Sequence, residues 1–349
     1  MTHGELTTWV METLGEKRFR ADQIFRWLHD KRARSFEAMT DLSKSLRTRL
    51  QEHARVGSLQ LDEVKVANDG TRKLLFSTAT SHRIESVVIP MGDRVTLCVS
   101  SQVGCKIGCD FCLTGRMTVR QNLSAAEIVD QVYHAQENLE ASPLVLPEGQ
   151  EEGSSGRRIA NIVYMGMGEP LDNYDNVIRS LKNLLDDKGQ NFSGRRITVS
   201  TSGIVPKIPM LGRDVPVNLA ISLNASHDTQ RDRLIPINRK WNIEALIEAL
   251  HAFPLASRRR ITVEYVLLDG VTDTQQDAKR LVALLRGLRC KVNLIPFNPW
   301  PGAPYGRPSP DAVDRFGALV RDAGYTVTIR YSKGDDIGAA CGQLDGQAA

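Results

Sequence analysis

The 349-residue sequence predicts an α/β protein: an open, partial (β/α)6 barrel preceded by a small N-terminal helical domain. Three observations carry that prediction. Between residues 93 and 330, short β-branched runs alternate six times with amphipathic stretches, the pattern of a parallel sheet with crossover helices. The first sixty or so residues show apolar side chains at helical spacing instead. Hydrophobic residues make up 41% and charged residues 25%, a balance that supports a packed core and excludes wholesale disorder.

Each element has its own justification. Leu6, Trp9, Val10 and Leu14 fall near one helical face, and residues 20–28 repeat apolar positions at i, i+3 and i+4. The stretch Asp41-Leu42-Ser43-Lys44-Ser45-Leu46-Arg47 opens a third, basic amphipathic helix. The Lys and Arg of this module are either solvated faces or a contact surface for nucleic acid. Residues 74–77 and 83–90 predict strands around a turn near Ser81 and His82, a hairpin joining the module to the main domain. Barrel strands are expected at 95–100, 159–165, 196–200, 217–223, 261–268 and 291–297. Helices are expected at 124–140, 173–187, 205–211, 242–253, 273–288 and 309–323. Six units fall short of a closed eight-unit barrel, and barrel logic puts function at the carboxyl ends of the strands. Segment 142–158 reads as an exposed, mobile, glycine-rich polar loop. The expected division is 1–60 helical accessory domain, 61–92 connecting hairpin, 93–330 barrel and 331–349 C-terminal tail.

A net charge of +4 permits a polyanionic partner without requiring one. No apolar stretch approaches the ~20 residues that span a bilayer, and the N-terminus lacks a secretory pattern. A soluble, cytoplasmic protein that avoids membranes is expected, with a monomer as the default.

Cysteine position says more than cysteine number. Of six cysteines, Cys105, Cys109 and Cys112 lie within eight residues, spaced C-x3-C-x2-C after the first barrel strand. In a reducing compartment such a cluster is a metal or redox site. Structural zinc sites show paired C-x2-C units and a fourth ligand, and no second pair is present. An iron–sulfur cubane held by three cysteines leaves one iron open to a small molecule. Downstream strand ends carry polar or small residues. These are Gly166-Met167-Gly168-Glu169-Pro170, Ser200-Thr201-Ser202-Gly203, Ser222-Leu223-Asn224-Ala225, and Asn298. Glycine admits close backbone approach, and hydroxyl, amide and carboxylate groups suit a polar ligand.

The cysteine spacing, with Phe111 before the last cysteine, resembles that of the radical S-adenosylmethionine (SAM) superfamily. That resemblance implies a TIM-like barrel and a [4Fe-4S] cluster on Cys105, Cys109 and Cys112, with SAM at the open iron. It places Gly168 and Glu169 at the SAM amino group. Ser200, Ser222, Leu223, Asn224 and Asn298 are the further candidate SAM positions. Where Asn224 stands, many family members are expected to carry His; Asn keeps both a donor and an acceptor.

Five further segments extend the match along essentially the whole chain: residues 18–24, 98–105, 166–171, 294–299 and 336–344. They resemble the RlmN/Cfr family of RNA methyltransferases, with an overall pattern nearer the RlmN branch. The resemblance implies methylation of adenosine C2 in 23S rRNA, in the peptidyl-transferase region, and in tRNA, 3′ of the anticodon. It implies two SAM molecules, an electron donor, and an N-terminal domain that contacts RNA. It assigns Cys341 as the cysteine that carries the methyl group, Cys98 as the thiol that resolves the RNA adduct through a transient disulfide, and Glu85 as the general base. Cys290 matches no functional position and is expected in the core. Arg195, Arg196, Arg258, Arg259 and Arg260 are candidate phosphate contacts or ordinary surface charge. Two other readings are a Cfr-type enzyme acting at C8 and a non-catalytic iron–sulfur RNA-binding protein.

Overall fold

A computed structural model describes residues 1–92, 94–144 and 158–347. Residues 145–157, most of the segment expected to be a mobile loop, lie outside the described residues.

Three helices open the chain: α1 (His3–Glu12), α2 (Arg18–His29) and α3 (Lys44–His53). A Thr2/Glu5 capping box starts α1, and Ser43 caps α3. The three pack around their own core, which includes Val10, Ile24, Phe25, Met39 and Leu50.

The chain then forms β1 (Leu59–Val66), β2 (Arg72–Thr78), β3 (Arg83–Met91) and β4 (Arg94–Cys98), all antiparallel neighbours. The expected hairpin is therefore part of a longer ribbon, with β1 as an additional strand. A small ladder follows, β5 (Gln102–Val103) with β6 (Gln121–Asn122).

The barrel strands are β4, β7 (Ile159–Tyr164), β8 (Ile197–Thr201), β9 (Asn218–Ser222), β10 (Ile261–Leu267) and β11 (Cys290–Pro296). Each pairs in parallel with the next, and a short seventh strand, β12 (Val327–Ile329), adds beyond β11. One sheet of ten strands results, in the order β1-β2-β3-β4-β7-β8-β9-β10-β11-β12. Its first and last strands are not neighbours, so the barrel is open, as six units predict. The outer layer holds α4 (Ala125–Ala141), α5 (Tyr174–Leu185), α6 (Ile208–Asp214), α7 (Asp228–Leu234), α8 (Ile243–His251), α9 (Gln275–Leu284) and α10 (Pro310–Asp322). The strands place apolar side chains at alternate positions in the core: Ile162, Val199, Leu219, Val263 and Leu294 are all buried there. Cys290 is buried at the start of β11.

Candidate active site at the carboxyl ends of the strands

The carboxyl ends of β7 to β11 converge on one cavity. Its lining includes Cys105, Cys109, Cys112, Gly168, Glu169, Ser200, Ser222, Asn224, Asn298 and Cys341. Ten of the thirteen candidate residues thus meet in one place. Among the described residues, no three Cys, His, Asp or Glu side chains are close enough to hold a single metal ion. Cys105, Cys109 and Cys112 line this cavity together, and thiols are the ligands that hold the irons of an iron–sulfur cluster.

The polar framework is pre-built. Glu169, 3% exposed, accepts from the Ser202 amide at 2.8 Å and hydroxyl at 2.7 Å, and from the Leu171 amide at 3.0 Å. Burial raises its pKa, and the Ser202 hydrogen bonds oppose that rise. Gly168 has φ +99°, and a Cβ there would meet Gln102 at 2.5 Å. Only glycine lets this turn pass so close to the chain after β4. Asn224 sits at φ +53°, a left-handed conformation that Asn tolerates better than most residues, and its Oδ1 accepts from the Val266 amide at 2.9 Å. Leu223 is buried in the core away from the cavity lining, and its backbone makes its contacts: the amide donates to the Glu264 carbonyl at 3.1 Å.

The tail enters the site beside the cysteine loop. Leu113 donates its amide to the Gly342 carbonyl at 2.8 Å, and the Thr114 hydroxyl donates to the Leu344 carbonyl at 2.6 Å. Asn298 donates to the Cys341 carbonyl at 3.1 Å. These bonds hold a half-buried Cys341 at the cavity wall. Cys341 also lines a second, smaller cavity with Cys98, Met165 and Arg330. Burial pushes the Cys98 thiol up to about 12, with the Cys341 sulfur adding to the shift and Arg330 opposing it. Cys341 is the largest of the causes that raise Arg330's own pKa.

Glu85 lines neither cavity. Strand register explains its position. Val87 on β3 pairs with Lys73 on β2 and with Cys98 on β4, so these side chains share one sheet face with Glu85. Glu85 is fully buried, and its Oε1 lies 2.9 Å from Lys73 Nζ. Its Oε2 accepts from the Asp345 and Gly346 amides, at 3.0 and 3.2 Å. Lys73 also donates to the Gly338 carbonyl at 3.3 Å. Gly346 has φ +70°, and a Cβ there would sit 2.8 Å from the Arg83 carbonyl.

Sequence patterns did not single out several residues of the site. Glu264 lines the cavity, accepts from the Ser200 hydroxyl at 3.0 Å and has a buried Oε1 without a partner. Its signal is a charge inside the apolar run Ile261–Leu267. Lys73 is a buried cation beside the apolar run Leu74-Leu75-Phe76 of β2. Arg330 and Arg231 carry no motif. Arg195, Arg196 and Arg258–Arg260 immediately precede β8 and β10, at the amino ends of the strands. They lie at the opposite end of the barrel from the cavity.

A cysteine-rich loop after the first barrel strand, an open parallel barrel and a polar cavity across its strand ends define a radical SAM enzyme. Residues 99–282 match the family model described as the radical SAM superfamily, and residues 1–56 match the ribosomal RNA large subunit methyltransferase N-terminal domain. The chain belongs to the RlmN family of radical SAM methyltransferases. It is 51% identical to the dual-specificity RNA methyltransferase RlmN of Geobacter sulfurreducens, over 95% of this chain and 88% of that protein. The protein of the same name from Halorhodospira halophila is 50% identical over 96% of this chain and 90% of its own length. A crystal structure of a radical SAM methyltransferase from Sphaerobacter thermophilus superposes with a TM-score of 0.91 at 44% identity, covering 99% and 98% of the two chains. A [4Fe-4S] cluster and SAM are the cofactors of this family, and three thiols lining one cavity fit the cluster.

Proposed function

We propose that the protein methylates C2 of adenosine in 23S rRNA and in tRNA, with Cys341 carrying the methyl group. One observation supports this above others: Cys341 lies in the walls of two cavities, one shared with Cys105, Cys109 and Cys112 and the other with Cys98. A single thiol then faces both the SAM side and the resolving thiol.

Cys105, Cys109 and Cys112 hold the cluster, with Gly168, Glu169, Ser200, Ser222, Asn224 and Asn298 around SAM and the Leu223 backbone supporting them. Bound together, cluster and SAM supply one-electron chemistry, the means of making a carbon radical. That chemistry is needed because C2 of adenine lies between two ring nitrogens and is too electron-poor to attack a methyl cation equivalent. Cys341 sulfur takes a methyl group from one SAM and loses its proton. One hydrogen atom leaves the S-methyl group for the carbon radical that cluster and SAM would supply, the carbon bonds to C2 and so bridges Cys341 and the base, and the unpaired electron left on the ring would return to the cluster. Glu85 accepts the proton lost from C2. The Cys98 thiolate attacks the Cys341 sulfur, an S–S bond forms as the S–C bond breaks, and the bridging carbon keeps the electron pair and takes up a proton, so that the base leaves methylated. Arg330, in the wall of the same small cavity, favours the Cys98 thiolate against the burial that raises its pKa.

The deciding experiment is anaerobic. Cluster-loaded protein receives methyl-labelled SAM without RNA, and the Cys341 peptide is weighed. A labelled methyl on Cys341 is expected; an unlabelled Cys341 in protein that binds SAM would remove it as carrier. With RNA added, digestion and mass spectrometry should place the new methyl on C2; a C8 product would favour the Cfr-type reaction.

A further inference from the structure

Arg231 is fully buried, and among the described residues no larger side chain is as enclosed. It belongs to α7, whose last residue, Leu234, accepts from the Asp110 amide of the cysteine loop at 3.0 Å. Its Nη2 donates to the Ser202 carbonyl at 2.6 Å and to the Ser222 carbonyl at 3.2 Å. Its Nε donates to the Leu223 carbonyl at 3.0 Å, and Nη1 to Asn238 Oδ1 at 3.1 Å. All four acceptors are neutral. The acids on the same helix, Asp228 and Asp232, accept from Asn238 Nδ2 instead, at 2.9 and 2.7 Å. A buried cation without a carboxylate partner is costly unless another anion offsets it.

We propose that Arg231 is a positioning residue for the cofactor site. Its planar fork ties the ends of β8 and β9 together beneath the SAM cavity, and its charge offsets the anionic cysteine-bound centre. The proposal rests on the reading that Cys105, Cys109 and Cys112 hold the cluster and that the ends of β8 and β9 hold SAM. Two effects separate. The tie needs the fork geometry, which lysine lacks. The charge needs only a cation nearby, which lysine keeps.

The test uses full-length protein loaded anaerobically with iron and sulfide, as wild type, Arg231→Lys and Arg231→Gln. Iron content, SAM affinity and the cluster midpoint potential are measured, the last by a redox titration followed by electron paramagnetic resonance. Arg231→Gln is expected to bind SAM about tenfold more weakly and to shift the potential negative. A tenfold loss in the reduction equilibrium is 59 mV for one electron. Arg231→Lys is expected to lose a similar factor in SAM affinity while keeping the wild-type potential. Arg231→Gln matching wild type in both readouts would overturn the proposal. If circular dichroism shows that Arg231→Gln does not fold, Arg231→Lys decides: an unchanged SAM affinity would overturn the tie, and with it the proposal. A wild-type chain that takes up no iron would overturn the underlying reading instead, which the iron assay shows before any variant is compared.

Discussion

Three side chains divide the chemistry proposed for the site, and each can be removed separately. Cys341→Ala is expected to abolish RNA methylation, with no methyl found on the tail peptide. Cys98→Ala should leave the tail cysteine methylated and trap protein joined to RNA, visible as a slow band on a denaturing gel. Free turnover by Cys98→Ala would exclude its role as resolving thiol. Glu85→Gln keeps the size of the side chain and an acceptor for the Asp345 and Gly346 amides. It loses the proton acceptor and the charge facing Lys73. The turnover rate should fall roughly 10²–10⁴-fold, the usual worth of general-base catalysis, while labelling of Cys341 from SAM persists. Activity at the wild-type rate would disqualify Glu85. The three clustered thiols were legible because C-x3-C-x2-C is a dense local pattern. Lys73 and Glu85 were not legible as a pair, because strand register brings them together from twelve residues apart.

The elements that sequence periodicity located best are those with one clean apolar face, such as α4, which begins within a residue of expectation. Ser124 and Glu127 close a capping box there. Ser124→Ala should lower stability by about 1 kcal/mol, seen as a lower denaturant midpoint at unchanged slope; an unchanged midpoint would mean the cap is redundant. The elements that escaped detection have physical reasons for it. In β1 the register shifts between Leu61 and Glu63, which breaks the alternation of apolar residues. The strand β12 is three residues long. In α7 the buried positions are Arg231 and Leu234, so a charge occupies the place where a pattern search expects an apolar residue.

At the scale of the whole molecule, the N-terminal helices dock on the barrel through polar contacts. Arg179 meets Glu5 at 2.9 Å, Lys188 meets Asp22 at 2.6 Å, and Arg32 meets Glu140 at 2.8 Å. Arg34 bridges Asp130 and Glu137. Beneath them His29 Nδ1 lies 2.6 Å from the Tyr133 hydroxyl. Burial depresses the His29 pKa from 6.5 to about 3. The unfolded chain therefore binds a proton below pH 6.5 that the folded chain refuses. Stability is complete above that pH and falls as the pH drops from 6.5 towards 3, by about 1.4 kcal/mol per unit at the steepest. His29→Gln should flatten the dependence of melting temperature on pH between 6.5 and 4.5; an equally steep profile would assign the effect to other groups. The barrel and its cysteine loop could be read from the sequence. This docking could not, because its residues are scattered from Glu5 to Lys188 and only the fold assembles them.

The tail past Cys341 has a consequence for the reaction. The amides of Asp345 and Gly346 occupy one oxygen of Glu85, four and five residues beyond the thiol proposed to carry the methyl group. The tether is short enough that a large excursion of Cys341 drags those amides with it. Carrying the sulfur far from its place would therefore break two of the hydrogen bonds that hold the carboxylate proposed as proton acceptor, so that cargo and acceptor share one tether.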